Sequence, residues 1–151
     1  MSSPSTPDVP VLVAVTEQAR ATLGGRRDVR VTAWPFKVGR EQRINPLRKL
    51  QHAIERRIGG HAPVNDLFLV EPFSDSLQIS RAHFAITRAE GQYFVEDCGS
   101  TCGTGVNGQR LGGGAENPKV APLNASALIV VGSQSSPYVF RFELRSSASR
   151  L

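Results

Sequence analysis

The possible folds of this chain are limited first by a succession of short β-branched and aromatic runs, nearly all bounded by glycine, proline, asparagine, aspartate or serine. Val11 to Val15, Val29 to Ala33, Phe36 to Val38, Leu67 to Val70, His83 to Thr87, Tyr93 to Glu96, Ala127 to Val131 and Tyr138 to Leu144 all have strand length and strand composition. Pro35 should break or edge the pairing between the second and third runs, because proline cannot donate to a ladder. Gly24-Gly25 marks a turn, and Gly91-Gln92 and Asn107-Gly108 are hairpin candidates, the latter carrying the stronger signal. No regular strand and helix alternation accompanies these runs, so the pattern predicts an all-β sandwich rather than a parallel α/β sheet. With 151 residues, 40% of them hydrophobic, the chain can bury one core and not two.

One segment breaks the strand pattern. Leu47, Leu50, Ile54 and Ile58 fall at helical spacing, with Arg48, Lys49, Arg56 and Arg57 off the stripe. Asn45 suits the N-cap, Pro46 the first helical position and Gly59-Gly60 the stop, which predicts one amphipathic helix over 46–58. Residues 40 to 57 carry six basic and two acidic side chains, so four of the chain's five net positive charges lie there. Such a cluster attracts acidic or phosphorylated partners by salt-sensitive steering. Nucleic acid is disfavoured as the partner, because the helix lacks aromatic residues and its pull on a polyanion would be non-specific.

No run of about eighteen apolar residues is present, and Met1 to Pro10 is rich in serine and proline rather than charged and then apolar. The expectation is a cytoplasmic protein with no membrane contact. Cys98 and Cys102, with three residues between them, make neither a disulfide framework nor a four-ligand metal set, so no metal and no cofactor are expected. A disulfide between them would reshape the loop that carries Thr101.

Islands of glycine, hydroxyl and guanidinium residues recur at Gly39-Arg40, Ser80-Arg81-Ala82-His83, Gly99-Ser100-Thr101-Cys102-Gly103-Thr104 and Val106-Asn107-Gly108. Short hydroxyls and a guanidinium converging from separate loops match the charge and geometry of a tetrahedral anion, which makes phosphate the candidate ligand. By composition alone the same residues would be ordinary turns and caps. Enzyme readings fare poorly. Gly103-Thr104-Gly105-Val106-Asn107-Gly108 fits the dinucleotide fingerprint, but the following Gln109 to Gly114 cannot readily open the helix that fingerprint needs. Ser80 and His83 lack the oxyanion-hole motif and elbow of a nucleophile and base.

In order and spacing these islands, together with Asn65-Asp66-Leu67 and Asp97-Cys98, resemble the forkhead-associated (FHA) domain over roughly 29–144. The resemblance implies an FHA/SMAD-like antiparallel β-sandwich of two large sheets that binds phosphothreonine peptides through loops at one end and catalyses nothing. Composition marks residues 1–10 as a disordered tail and 146–151 as a second tail, which leaves 11–145 as the domain, and against the family pattern 41–64 is an insertion. Arg40 matches the family arginine that meets the phosphate or the peptide backbone. Ser80 matches the serine whose hydroxyl donates to a phosphate oxygen, with Arg81 adding charge beside it. Thr101 matches the threonine whose hydroxyl and amide reach the phosphate. Gly39, His83, Gly99, Gly103 and Asn107 match turn and bracing positions. Cys102 is the departure, because the family usually has asparagine there to hold the peptide backbone, and a thiol donates weakly in its place. The partner so implied is a phosphothreonine-containing protein rather than a small-molecule substrate. The alternative is an interaction domain of the same fold that ignores phosphorylation.

Overall fold

The computed structural model describes residues 8–41, 65–72 and 77–146. Two sheets face one another. The first takes β1 (Asp8–Ala14), β2 (Asp28–Arg30), β7 (Thr104–Val106), β8 (Gln109–Leu111), β10 (Ser126–Val131) and β11 (Val139–Ser146), in the order β2-β1-β11-β10-β7-β8. The second takes β3 (Phe36–Arg40), β4 (Leu67–Leu69), β5 (Phe84–Ala89), β6 (Gln92–Asp97) and β9 (Val120–Leu123), in the order β4-β3-β5-β6-β9. The fold is the all-β sandwich that the strand pattern predicts.

Alternation builds the core. Along β10 Ala127, Ile129 and Val131 are buried, while Leu128 faces solvent. Phe140 and Phe142 on β11 meet Phe36, Val38, Phe84, Ile86 and Val95 of the opposite sheet in one cluster. Each such side chain contributes about 1.5–3 kcal/mol on full burial, which gives the inward face its hold on register.

The structure adds details that the strand pattern does not carry. β1 begins at Asp8, so the last three residues of the expected tail are strand, and β11 runs on through Ser146. The run from Val29 to Ala33 yields only Asp28–Arg30 as strand. Three strands lie outside every predicted run: β7, β8 and β9. The hairpin expected at Gly91-Gln92 turns one residue earlier, on Glu90-Gly91, both at positive φ, and Gln92 already belongs to β6. At Asn107-Gly108 the turn sits where it is expected, with φ values of 49° and 85°. That hairpin also disposes of the dinucleotide fingerprint, because Gly103 to Gly108 runs into strand and turn and not into a helix.

A short helix, α1 (Glu17–Thr22), was not expected at all. Thr16 caps it by accepting from the Ala19 N–H at 3.1 Å, Glu17 complements the first turn, and Gly25 N–H closes the end on the Arg20 carbonyl. Six residues are too few for a helical period to show. The helix expected over 46–58 lies outside the described residues.

One pair in the second sheet is parallel rather than antiparallel: β3 and β4, with Val38 opposite Leu67 and Arg40 opposite Leu69. A parallel neighbour needs a crossover of a dozen residues or more, and the chain between Glu41 and Asn65 supplies that length. Among the described residues no helix is long and apolar enough to cross a membrane.

Candidate functional site

Strand register brings three segments to one end of the second sheet. Val38 pairs with Phe84 and Phe84 with Asp97, so the end of β3, the loop before β5 and the loop after β6 are neighbours. Hydrogen bonds then weld the loops together. Arg40 N–H donates to the Ser80 carbonyl at 2.9 Å, His83 N–H to the Val38 carbonyl at 3.1 Å, and Cys98 N–H to the His83 carbonyl at 2.9 Å.

A surface cavity of about 490 Å3 opens where they meet, and Arg40, Ser80, Arg81 and Thr101 all line it, with Leu77, Ile79, Ala82, Cys98 and Gly99. Neither Arg40 nor Arg81 forms an ion pair among the described residues. The Ser80 hydroxyl oxygen accepts the Thr101 N–H at 3.1 Å, which leaves its own proton to be donated elsewhere. That bond also engages the Thr101 amide, so the side-chain hydroxyl is the donor Thr101 has left to offer. Two guanidinium groups and two hydroxyls around one cavity can chelate a tetrahedral dianion.

Gly39 sits in β3 under the Arg81 backbone. A Cβ there would overlap the Arg81 carbonyl oxygen and lie 2.7 Å from Asn65 Nδ2, which itself donates to that carbonyl at 2.7 Å. Gly39→Ala should therefore cost about 3 kcal/mol, the upper part of the overpacking range, read as a shifted urea midpoint at unchanged slope. A midpoint within error of the wild type would mean that the loop yields freely.

His83 is fully buried under the loop. Its Nδ1 accepts the Ser80 N–H at 3.0 Å, so Nε2 carries the proton and donates to the Gly103 carbonyl at 2.8 Å. Both nitrogens are spent on backbone, and neither is placed to act as a base on the Ser80 hydroxyl. Burial pulls the imidazole below its ordinary value of 6.5, against the opposing pull of the Gly103 bond and of the Asp97 and Glu71 carboxylates. The unfolded chain thus binds this proton more readily than the folded one, and stability rises with pH across the interval. Full stability is expected above about pH 6.5, with a loss as pH falls from there through the depressed native value. Urea midpoints of wild type and His83→Asn, compared between pH 7.5 and 5, should show the slope in the wild type and a flatter line in the variant. Equal slopes would refute it.

Several residues that hold the site were not among the expected site residues, although Asp97 belongs to the family pattern. Asp97, 3% exposed, accepts from the Gly99 and Ser100 amides and from the Ser100 and Thr104 hydroxyls, and so shapes the loop that carries Thr101. An aspartate two residues before Gly99 was a readable turn signal. Glu71, buried, accepts the Gln78 and Ile79 amides, and Arg110 Nη2 donates to the Cys102 and Gly132 carbonyls at 2.8 and 2.6 Å. Those contacts have no local signal. Ser100 Oγ also accepts the Gly103 N–H at 3.0 Å.

The remaining expected residues are distributed unevenly. Gly99 lines the cavity at φ 81°, and Gly103, φ 84°, has the Arg110 guanidinium and the Leu111 carbonyl within 3 Å of where a Cβ would stand. Cys102 is not in the cavity wall, and its thiol points to the Leu77 carbonyl at 3.4 Å. Asn107 is at the β7 to β8 turn, where its amide oxygen accepts the Leu128 N–H at 2.9 Å. Both cysteines are free thiols. Burial pushes the Cys98 thiol up, with Glu96 and Asp97 adding to it, which makes it a weak nucleophile despite its place in the wall.

The sequence model of the FHA domain matches residues 56–132 of the chain. No curated protein sequence matches it. Among solved structures the chain is similar at 18% identity to EmbR of Mycobacterium tuberculosis in complex with a low-affinity phosphopeptide, with a TM-score of 0.55 over 92% of this chain and 25% of that one. It therefore spans about a quarter of EmbR. It is also similar to the FHA-1 domain of Mycobacterium tuberculosis Rv1747, with a TM-score of 0.53 at 18% identity over 92% of this chain and 98% of that one. The N-terminal FHA domain of S. cerevisiae Rad53p, in complex with a phosphothreonine peptide, matches with a TM-score of 0.53 at 18% identity, over 93% and 94% of the two chains. These likenesses show the same fold.

Proposed function

Since the chain belongs to the FHA domain family, we propose that it is a non-catalytic phosphopeptide-binding module that recognises phosphothreonine in a protein partner. Arg40 and Arg81 supply charge to the phosphate, and Ser80 and Thr101 supply hydroxyl donors. The observation that carries this reading is the convergence of those four side chains on one cavity, with no ion pair to either arginine among the described residues. An arginine without a carboxylate partner spends nothing on breaking one when an anion arrives. The support comes also from Rad53p and EmbR, FHA-fold proteins held with phosphopeptides. Gly39, His83, Gly99, Gly103 and Asn107 serve as supports: the glycines where backbone must pass close or turn, His83 between Ser80 and Gly103, and Asn107 between hairpin and β10. Cys102, turned to Leu77, takes no part in holding the peptide backbone. The reading sets the protein in a reducing, cytoplasmic compartment, where both thiols stay free.

The test is a titration of the protein with one peptide in four forms: phosphothreonine, phosphoserine, unphosphorylated threonine and aspartate. Phosphothreonine should bind at least about tenfold tighter than the unphosphorylated form, because charge-assisted hydrogen bonds contribute about 1.5–3 kcal/mol each. Phosphoserine should fall between them. Equal affinity for all four would replace this reading with that of an interaction domain indifferent to phosphorylation.

A further inference from the structure

The wall of the cavity is chemically divided. Arg40, Ser80, Arg81 and Thr101 are residues with cationic and hydroxyl groups, while Leu77, Ile79 and Ala82, all apolar, line the same space. Ile79 is 2% exposed and belongs to the interior, so the hydrocarbon within reach of a ligand is chiefly Leu77, at 41% exposed.

A single surface leucine is ordinary on a soluble protein. Leu77 differs in how firmly its backbone is held. The N–H groups of Gln78 and Ile79, next along the chain, donate to the buried carboxylate of Glu71 at 2.7 and 3.1 Å. Gln78 Oε1 accepts the Ser133 N–H at 2.8 Å, and Gly132 lies so close to Gln78 that a Cβ there would stand 2.5 Å from Oε1. The carbonyl of Leu77 itself accepts the Cys102 thiol at 3.4 Å. An apolar side chain on backbone that is already ordered loses little further entropy when a ligand covers it. The thiol of Cys102 thus adds a weak contact to the Leu77 backbone.

Resting on the phosphopeptide reading above, we propose that Leu77 is a selectivity contact, and that the protein prefers phosphopeptides which lay an aliphatic side chain over it, beside the phosphate held at Arg40 and Ser80. The interaction is continuous with the phosphate site, because both lie in the wall of one cavity. Covering Leu77 with an aliphatic group removes apolar area from water on both partners, whereas a charged or amide group laid there loses its own hydration against hydrocarbon.

The test is a set of phosphothreonine peptides in which each residue within a few positions of the phosphothreonine is in turn leucine, valine, serine, aspartate or lysine. Binding is read by fluorescence polarisation on wild type, Leu77→Ser and Leu77→Met, with unphosphorylated controls. At one position the wild type should bind the aliphatic peptides about five- to tenfold tighter than the serine and aspartate ones. Leu77→Ser should shrink that preference to within about twofold while phosphate dependence survives, and Leu77→Met should keep it. Since Leu77 is exposed, both variants should retain the wild-type thermal midpoint. A flat profile with phosphate dependence intact, an acidic preference at every position, or an aliphatic preference that survives Leu77→Ser would each overturn the proposal and leave the phosphopeptide reading standing. Loss of phosphate dependence in the wild type, visible in the unphosphorylated controls, would sink both.

Discussion

Arg40→Ala should lose about a hundredfold in affinity for a phosphothreonine peptide while its thermal midpoint stays within about 2 °C of the wild type. The size follows from the pairing of a planar guanidinium with a dianion at a half-buried position. Truncating one partner of a hydrogen-bonded charge pair costs roughly 2–5 kcal/mol, and partial exposure places this site in the lower half of that range. Stability should hardly change, because the bonds that fix this residue in the fold are made by its backbone: the N–H donates to Ser80, and the strand pairs with Leu69. Arg40→Lys is the sharper control. It keeps the charge and loses the fork, so recovery of less than half the lost binding energy would show that bidentate geometry matters, and full recovery would show that charge alone suffices. A phosphate-dependent affinity unchanged in Arg40→Ala would move the site elsewhere.

Asp97→Ala should be the most destabilising single change near the site, at about 4 kcal/mol, or roughly 12 °C in thermal midpoint for a chain of this length. Four donors converge on its carboxylate: the amides of Gly99 and Ser100 at 3.1 and 3.0 Å, and the hydroxyls of Ser100 and Thr104 at 2.6 and 2.8 Å. Alanine leaves them around a vacated buried position, where unsatisfied polar groups cost most. Gly112 is affected as well, since it packs against this carboxylate too closely for any Cβ. Phosphopeptide affinity should fall with stability, because Thr101 and Gly99 ride on the loop that Asp97 shapes. A midpoint lowered by less than about 3 °C would show that water replaces the carboxylate.

The two variants separate what contacts a ligand from what holds the contacts in place, and that division follows closely what could be read along the chain. Ser80, Arg81 and Thr101 stand out locally because they lie in short ordered islands between apolar runs, and the cavity brings them together with Arg40. Glu71 does not stand out in the same way, and Asp97, though a turn signal within the family pattern, does not reveal the four donors it gathers. A carboxylate in a polar stretch looks like any solvated acid until the donors that surround it arrive from its own loop or from residues seven or eight positions away.

From the amino-acid order alone came the sandwich, most of its longer strands, the Asn107-Gly108 hairpin and the family pattern. The physical reason is that strand periodicity, turn stereochemistry and motif spacing are local properties, written within a few residues. Tertiary structure decided the rest. β7, β8 and β9, each of three or four residues, are too short to stand alone, with a glycine inside β7 and a proline inside β9, and they exist because Thr104 pairs with Val131 and Leu111, and Ala121 with Val95. The parallel seat of β4 beside β3, the Ser80 hydroxyl that occupies the Thr101 amide, and the thiol of Cys102 turned to Leu77 all join segments more than twenty residues apart. Such contacts are chosen by packing and by the cost of leaving buried polar groups unpaired, and neither quantity is defined until the two sheets have met.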